Sequence, residues 1–172
     1  MDIREVLDDN QIKAKAKVER LSQMLLDDEL TIAALLTVAK ALKGSAKGTC
    51  IEAIEFATKA RPELASHDCL KFVSDCLLDK APRVRWESAK VIANIAHLYP
   101  TKLDKAIINL LNNSEFPGTV VRWSSALALG EILKLRTKHN HDLTPAISAI
   151  LRREQDNAIL KIYQRALQSV VE

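Results

Sequence analysis

At 172 residues, with a formal net charge of +3, the chain is long enough to bury one sizeable core and too short for two domains of ordinary size. Its hydrophobic content of 48% is almost wholly aliphatic, aromatics being 4%, and four Gly with five Pro are too few for the many tight turns of an all-β fold. Leu, Ile, Val and Ala must build the core, and Ala and Leu favour helix, so an all-α chain forming a single domain over 1–172 is expected.

The charge is unevenly placed. Residues 1–80 carry 12 Lys/Arg against 14 Asp/Glu, while residues 81–172 carry 13 against 8. The basic half permits contact with an acidic partner or with phosphates, although solvated helix faces ordinarily carry Lys and Arg. No apolar run reaches the roughly 18 residues that span a bilayer, and Met1–Glu5 lacks an apolar signal core, so no membrane partner is expected. Cys50, Cys69 and Cys76 are odd in number and suggest no disulfide framework, which points to a reducing cytoplasm.

In chain order, the first predicted helix lies near 11–27. Asp27-Asp28-Glu29 ends it and opens the next, where acidic residues suit a helix N-terminus. A helical hairpin follows near 30–60, with Gly44 at a helix end. A second hairpin lies near 63–98, Pro62 and Pro82 fitting first-turn positions. Within it Cys69 and Cys76 share a helix face with Phe72 and Val73 and read as small buried hydrophobes. The third hairpin, near 101–137, has Thr101 as a candidate cap and Asn112-Asn113 at a helix end. The fourth, near 142–171, has Asp142 as a cap and Pro145 in its first turn, after a loop holding His139-Asn140-His141.

Two of these hairpins repeat a segment. Val84-Arg85-Trp86-Glu87-Ser88-Ala89 recurs as Val121-Arg122-Trp123-Ser124-Ser125-Ala126, 37 residues later. Each is preceded by a break, Ala81-Pro82 or Phe116-Pro117-Gly118, and followed by an apolar helical pattern. Internal repeats of this length signal a solenoid. Two helices per unit, Pro before the second and Val-Arg near its start make the chain resemble the HEAT-repeat, armadillo-like family, most clearly over 63–137. The resemblance implies a right-handed α-α superhelix of about four hairpins plus an N-terminal helix. It also implies that Arg85, with Asp79 six residues before it, and Arg122 tie repeats together. In the second unit the place of Asp79 is taken by Phe116. Tetratricopeptide repeats, with a 34-residue period and another aromatic pattern, do not fit.

Rotation by about 100° per residue sorts the second helices. Val84, Ser88, Val91, Ile92, Ile95 and Leu98 share one side; Arg83, Trp86, Lys90, Asn94 and His97 share the other. In the next unit Trp123, Leu127, Gly130, Glu131 and Lys134 fall together, with Arg122 on the flank. Second helices of HEAT-like solenoids usually line the concave surface. Trp86, Lys90, His97, Trp123, Leu127 and Lys134 are therefore the candidate partner-binding residues. Two readings stand for the tryptophans: anchors for a partner, since exposed indoles are frequent hot spots, or rings sealing the joint between repeats.

No Gly-rich phosphate loop, Gly-x-Ser-x-Gly elbow or His-Glu-x-x-His helix occurs, and the His139–Asp142 group has no second ligand cluster. Catalytic, cofactor and metal residues are therefore not assigned, and no cofactor is expected. The AlkD-type alkylpurine DNA glycosylases are also HEAT-like, with Trp, Arg and a catalytic Asp on a basic concave face; here no Asp stands beside either Trp, and Glu87 and Glu131 are expected on the rim. The expected function is a non-catalytic scaffold that takes a protein or peptide on its concave face. The alternative is an accessory nucleic-acid binder, and self-association through apolar end repeats is a third partner class.

Overall fold

The computed structural model describes residues 2–171. Among the described residues it is all helix and turn: α1 (Ile3–Asp8), α2 (Ala14–Leu26), α3 (Ile32–Lys40), α4 (Gly44–Ala60), α5 (His67–Cys76), α6 (Pro82–Ile95), α7 (Asp104–Asn113), α8 (Thr119–Lys134), α9 (Asn140–Arg153) and α10 (Asn157–Val171). Single 3₁₀ turns at Pro62–Leu64 and Ala96–Leu98 join successive hairpins. The expected first helix and four hairpins are present, and α1 pairs with α2 to make a fifth hairpin.

Local chemistry explains several boundaries. Asp2 and Glu5 form a reciprocal capping box, which holds α1 at only 6 residues while Ile3 and Val6 bury against the core. That helix is too short to show a periodicity and was not expected. Thr31 and Ser66 accept from the third residue's N–H of α3 and α5, and Pro82 occupies the first turn of α6. At two other places the expected caps are displaced: α7 begins after Leu103 rather than Thr101, and α9 begins after His139, so Asp142 lies in its first turn and Pro145 inside it. Pro145 removes the bond to the carbonyl of His141, whose side chain is fully in solvent, so water can take that acceptor.

Odd-numbered helices form one layer and even-numbered helices the other. Along the stack α2, α4, α6, α8 and α10 pack on one another far more extensively than α1, α3, α5, α7 and α9 do. The tighter layer takes the inside of the curve, which makes the even helices the concave wall. A continuous core runs between the layers, from Ile3 to Ala166, with Leu21, Leu35, Ile54, Leu70, Ile92 and Leu110 fully buried. Small residues let α8 and α10 approach closely: a Cβ on Gly130 of α8 would lie 3.3 Å from the Ala166 Cβ of α10.

Candidate partner-binding surface

The inner even helices α4, α6 and α8 each pack on neighbours to either side and on a hairpin partner, leaving one strip open. On α4 that strip carries Glu52, Phe56 and Lys59; on α6 it carries Trp86, Lys90 and His97; on α8 it carries Trp123, Leu127 and Lys134. Trp86 and Trp123 are both half-buried and stand at equivalent positions of stacked helices. Trp123 leans on the core, with Leu127 half-buried one turn further on. His97 and Lys134 are exposed at the ends of their helices, His97 in the 3₁₀ turn after α6. Phe56, 51% exposed, was not singled out from the sequence; its spacing of four from Glu52 was the available signal.

Under the strip lies an ionic floor that the helical wheel did not anticipate. Glu87 is not on the rim: its side chain is 5% exposed, turned towards α4. There its Oε1 accepts from Trp86 Nε1 at 2.9 Å and its Oε2 from Lys90 Nζ at 3.1 Å. Lys90 also reaches Glu55 of the preceding repeat at 3.7 Å. Burial pushes the Glu87 carboxyl above its ordinary pKa, and Lys90 and the indole N–H only partly oppose this. Beside it Arg83 lies across Gly48 of α4 and pairs with Glu52. Asn94 completes the joint by donating to the Glu55 carbonyl at 3.1 Å and to Thr58 Oγ1 at 3.2 Å. The floor was illegible because α4 lacks the Val-Arg-Trp segment that fixed the register elsewhere.

The repeated arginines work away from this strip. Arg85 Nε donates to the Asp79 carbonyl at 2.6 Å, its Nη1 to Asn113 Oδ1 at 2.8 Å, and its guanidinium stacks 4.7 Å from the Phe116 ring. Asn113 and Phe116 belong to the next repeat. Arg122 donates through Nη1 to the Phe116 carbonyl at 3.1 Å and through Nε to Glu154 at 3.0 Å, again one repeat on. Both arginines therefore use the main-chain carbonyl six residues back, so Phe can stand where Asp79 does. The Asp79 carboxylate faces the other way, towards Lys47 of the preceding repeat at 3.1 Å. The buried amides of Asn109 and Asn113, donating to the Ser74 and Leu77 carbonyls, extend the same inter-repeat seam.

No group of three or more His, Cys, Asp or Glu among the described residues is arranged to hold a metal ion. No helix among the described residues is long and apolar enough to cross a membrane. The three thiols are free and buried, Cys50 and Cys76 pushed up to about 11 and Cys69 to about 12 by burial.

No protein-family model matches the sequence, and neither does any curated protein. Solved structures do match. A designed armadillo repeat protein in complex with the peptide (KR)4 superposes with a TM-score of 0.79 at 16% identity, covering 99% of this chain and 80% of that one. A second designed armadillo repeat protein gives 0.74 at 17% identity, covering 98% of this chain and 80% of that one. The complex of CpcE and CpcF of phycocyanin lyase from Nostoc sp. PCC7120 gives 0.71 at 18% identity, covering 96% and 97%. The fold is an armadillo/HEAT-like solenoid. Identities this low speak to the fold alone.

Proposed function

We propose that this solenoid is a non-catalytic scaffold, working in a reducing cytoplasm, whose concave strip binds a protein or peptide through Trp86 and Trp123. The carrying observation is the placement of two half-exposed indoles one repeat apart on the open side of α6 and α8, in line with exposed Phe56. Large rigid rings with one polar edge supply contact area at little entropic cost. The Trp86 N–H is already committed to Glu87, which fixes that ring and leaves its apolar face for a partner.

Two structural neighbours agree in kind: one is a peptide complex and the other a two-protein complex. The phycocyanin lyase neighbour is an enzyme assembly, but the concave strip here holds no free acid–base pair. Lys90 is shared between Glu55 and Glu87, and Lys134 pairs with Glu131 at 2.8 Å, which among the described residues leaves Lys59 as the strip's unpaired lysine and gives a nucleic acid few free cations on the strip. At the C-terminal end α10 presents Lys161, Gln164, Arg165 and Gln168 outward beside exposed Val171, a mostly polar face that does not favour self-association through that end.

The test compares Trp86→Ala and Trp123→Ala with the parent. Both variants should keep their helical circular dichroism while losing the proteins that the parent retains from its native extract. Retention of the same proteins by both folded variants would refute the site. Salt-sensitive binding of an oligonucleotide, lost in the same variants, would favour the nucleic-acid reading instead.

A further inference from the structure

We propose that the cleft between the α3–α4 and α5–α6 turns is a second docking site, one that takes an acidic peptide segment of a protein partner. It lies along the edge formed by the turns within hairpins, away from the Trp86–Trp123 strip, and does not depend on that strip. The cleft has a volume of about 690 Å³ and is lined by Lys40, Lys43, Lys47 and Lys80, with Leu42 and Leu78 among the apolar walls. Its one carboxylate, Asp79, is already taken: it pairs with Lys47 at 3.1 Å and accepts the Ala81 N–H at 2.9 Å. Lys40, Lys43 and Lys80 are exposed and make no ion pair among the described residues. Three uncommitted cations thus converge on one hollow.

The backbone adds to this field. α4, with 17 residues, opens on the cleft, and its N-cap Lys43 offers no side-chain acceptor to the first-turn N–H groups. Gly44, at φ +54, leaves the space beside the helix start empty to 4 Å. Negative charge is therefore favoured here by side chains and by the helix terminus together.

Apolar surface separates a peptide from a bare anion. Leu78 is 48% exposed in the α5–α6 turn, within a cleft that also holds half-buried Leu42. A free phosphate would leave that surface in water, whereas a segment mixing carboxylates with an aliphatic side chain would use both. The lining contains no aromatic ring on which a nucleic-acid base could stack.

The experiment measures, by fluorescence anisotropy, the binding of a labelled peptide rich in Glu with a central Leu. The same peptide with Ser in place of Leu and a Lys-rich peptide serve as comparators. The combined Lys40→Glu, Lys43→Glu and Lys80→Glu variant should bind about tenfold more weakly, at a few-fold per exposed charge. Leu78→Ser should weaken the Leu peptide several-fold and leave its salt response unchanged, while Trp86→Ala with Trp123→Ala should bind it like the parent. Equal weakening by reversing exposed Lys15, Lys138 and Lys161 would overturn the proposal. So would equal affinity for the Leu and Ser peptides, which would mark a bare-anion site, or self-association at low salt abolished by the triple reversal, which would make a second copy the occupant.

Discussion

Asn113→Ala removes a side chain that bonds both ways across the seam between two repeats. Asn113 is fully buried; its amide donates to the Leu77 carbonyl at 2.8 Å and its Oδ1 accepts from Arg85 Nη1 at 2.8 Å. Alanine leaves the Leu77 carbonyl without a partner in a dry place, a loss of about 1–3 kcal/mol. Arg85 loses a charge-assisted bond but keeps the Asp79 carbonyl and the Phe116 ring, so about 1 kcal/mol more is expected. The total is about 3 kcal/mol, or a fall in Tm of about 6–12 °C for a chain of this length. Thermal unfolding followed by far-UV circular dichroism measures it, together with Arg85→Met and the double variant. Because both single changes break the same bond, the double variant should be less destabilised than their sum by about 1 kcal/mol. A single-variant Tm within about 2 °C of the parent, or strict additivity, would refute the assignment of Arg85 and Asn113 to one seam.

Three further outcomes follow from geometry and charge. A Cβ on Gly48 meets the flexible Arg83 side chain at 3.3 Å, whereas one on Gly130 meets the Ala166 Cβ on a neighbouring helix at the same distance. Gly48→Ala should therefore be neutral or stabilising by up to about 1 kcal/mol, and Gly130→Ala destabilising by about 1–3 kcal/mol, in urea unfolding. The pH profiles of Glu87 and Glu154 should differ in sign. The raised Glu87 carboxyl contributes stability that is fully present below the ordinary carboxylate pKa and lost as pH rises through the raised folded value, so Glu87→Gln should flatten the stability profile between those two values. At Glu154 burial pushes upward, but the N–H groups of Gln155 and Asp156 and the Arg122 guanidinium outweigh it and hold the carboxyl below its ordinary value. Its contribution is present above the ordinary pKa and lost as pH falls through the folded value, so Glu154→Gln should flatten the acid side, read by urea titrations from about pH 3 to 7.

The repeat architecture was written in the chain because a solenoid reuses one local solution. The 37-residue recurrence, the 3.6-residue apolar period and the breaks at Pro82 and Pro117 each act within a hairpin, and together they placed all the long helices. The same periodicity put Trp86, Lys90, Trp123 and Leu127 on one side of their helices. It failed where the signal was too short or not local. α1 has only 6 residues, and Pro145 is tolerated inside α9 because its missing bond falls beside exposed His141.

What a wheel cannot give is the distance between helices. Glu87 looked like a rim residue because nothing on α6 opposes it; stacking α4 alongside buries it and supplies Glu55 as the second carboxylate for Lys90. The docking cleft has the same origin, since Lys40 and Lys43 lie about forty residues from Lys80 and meet only when two hairpins stack. Arg85 and Arg122 show the boundary most clearly. Their spacing from positions 79 and 116 is local, and the sequence alone determined it. Their partners Asn113, Phe116 and Glu154 sit one repeat away, and only the packing of repeats could decide them.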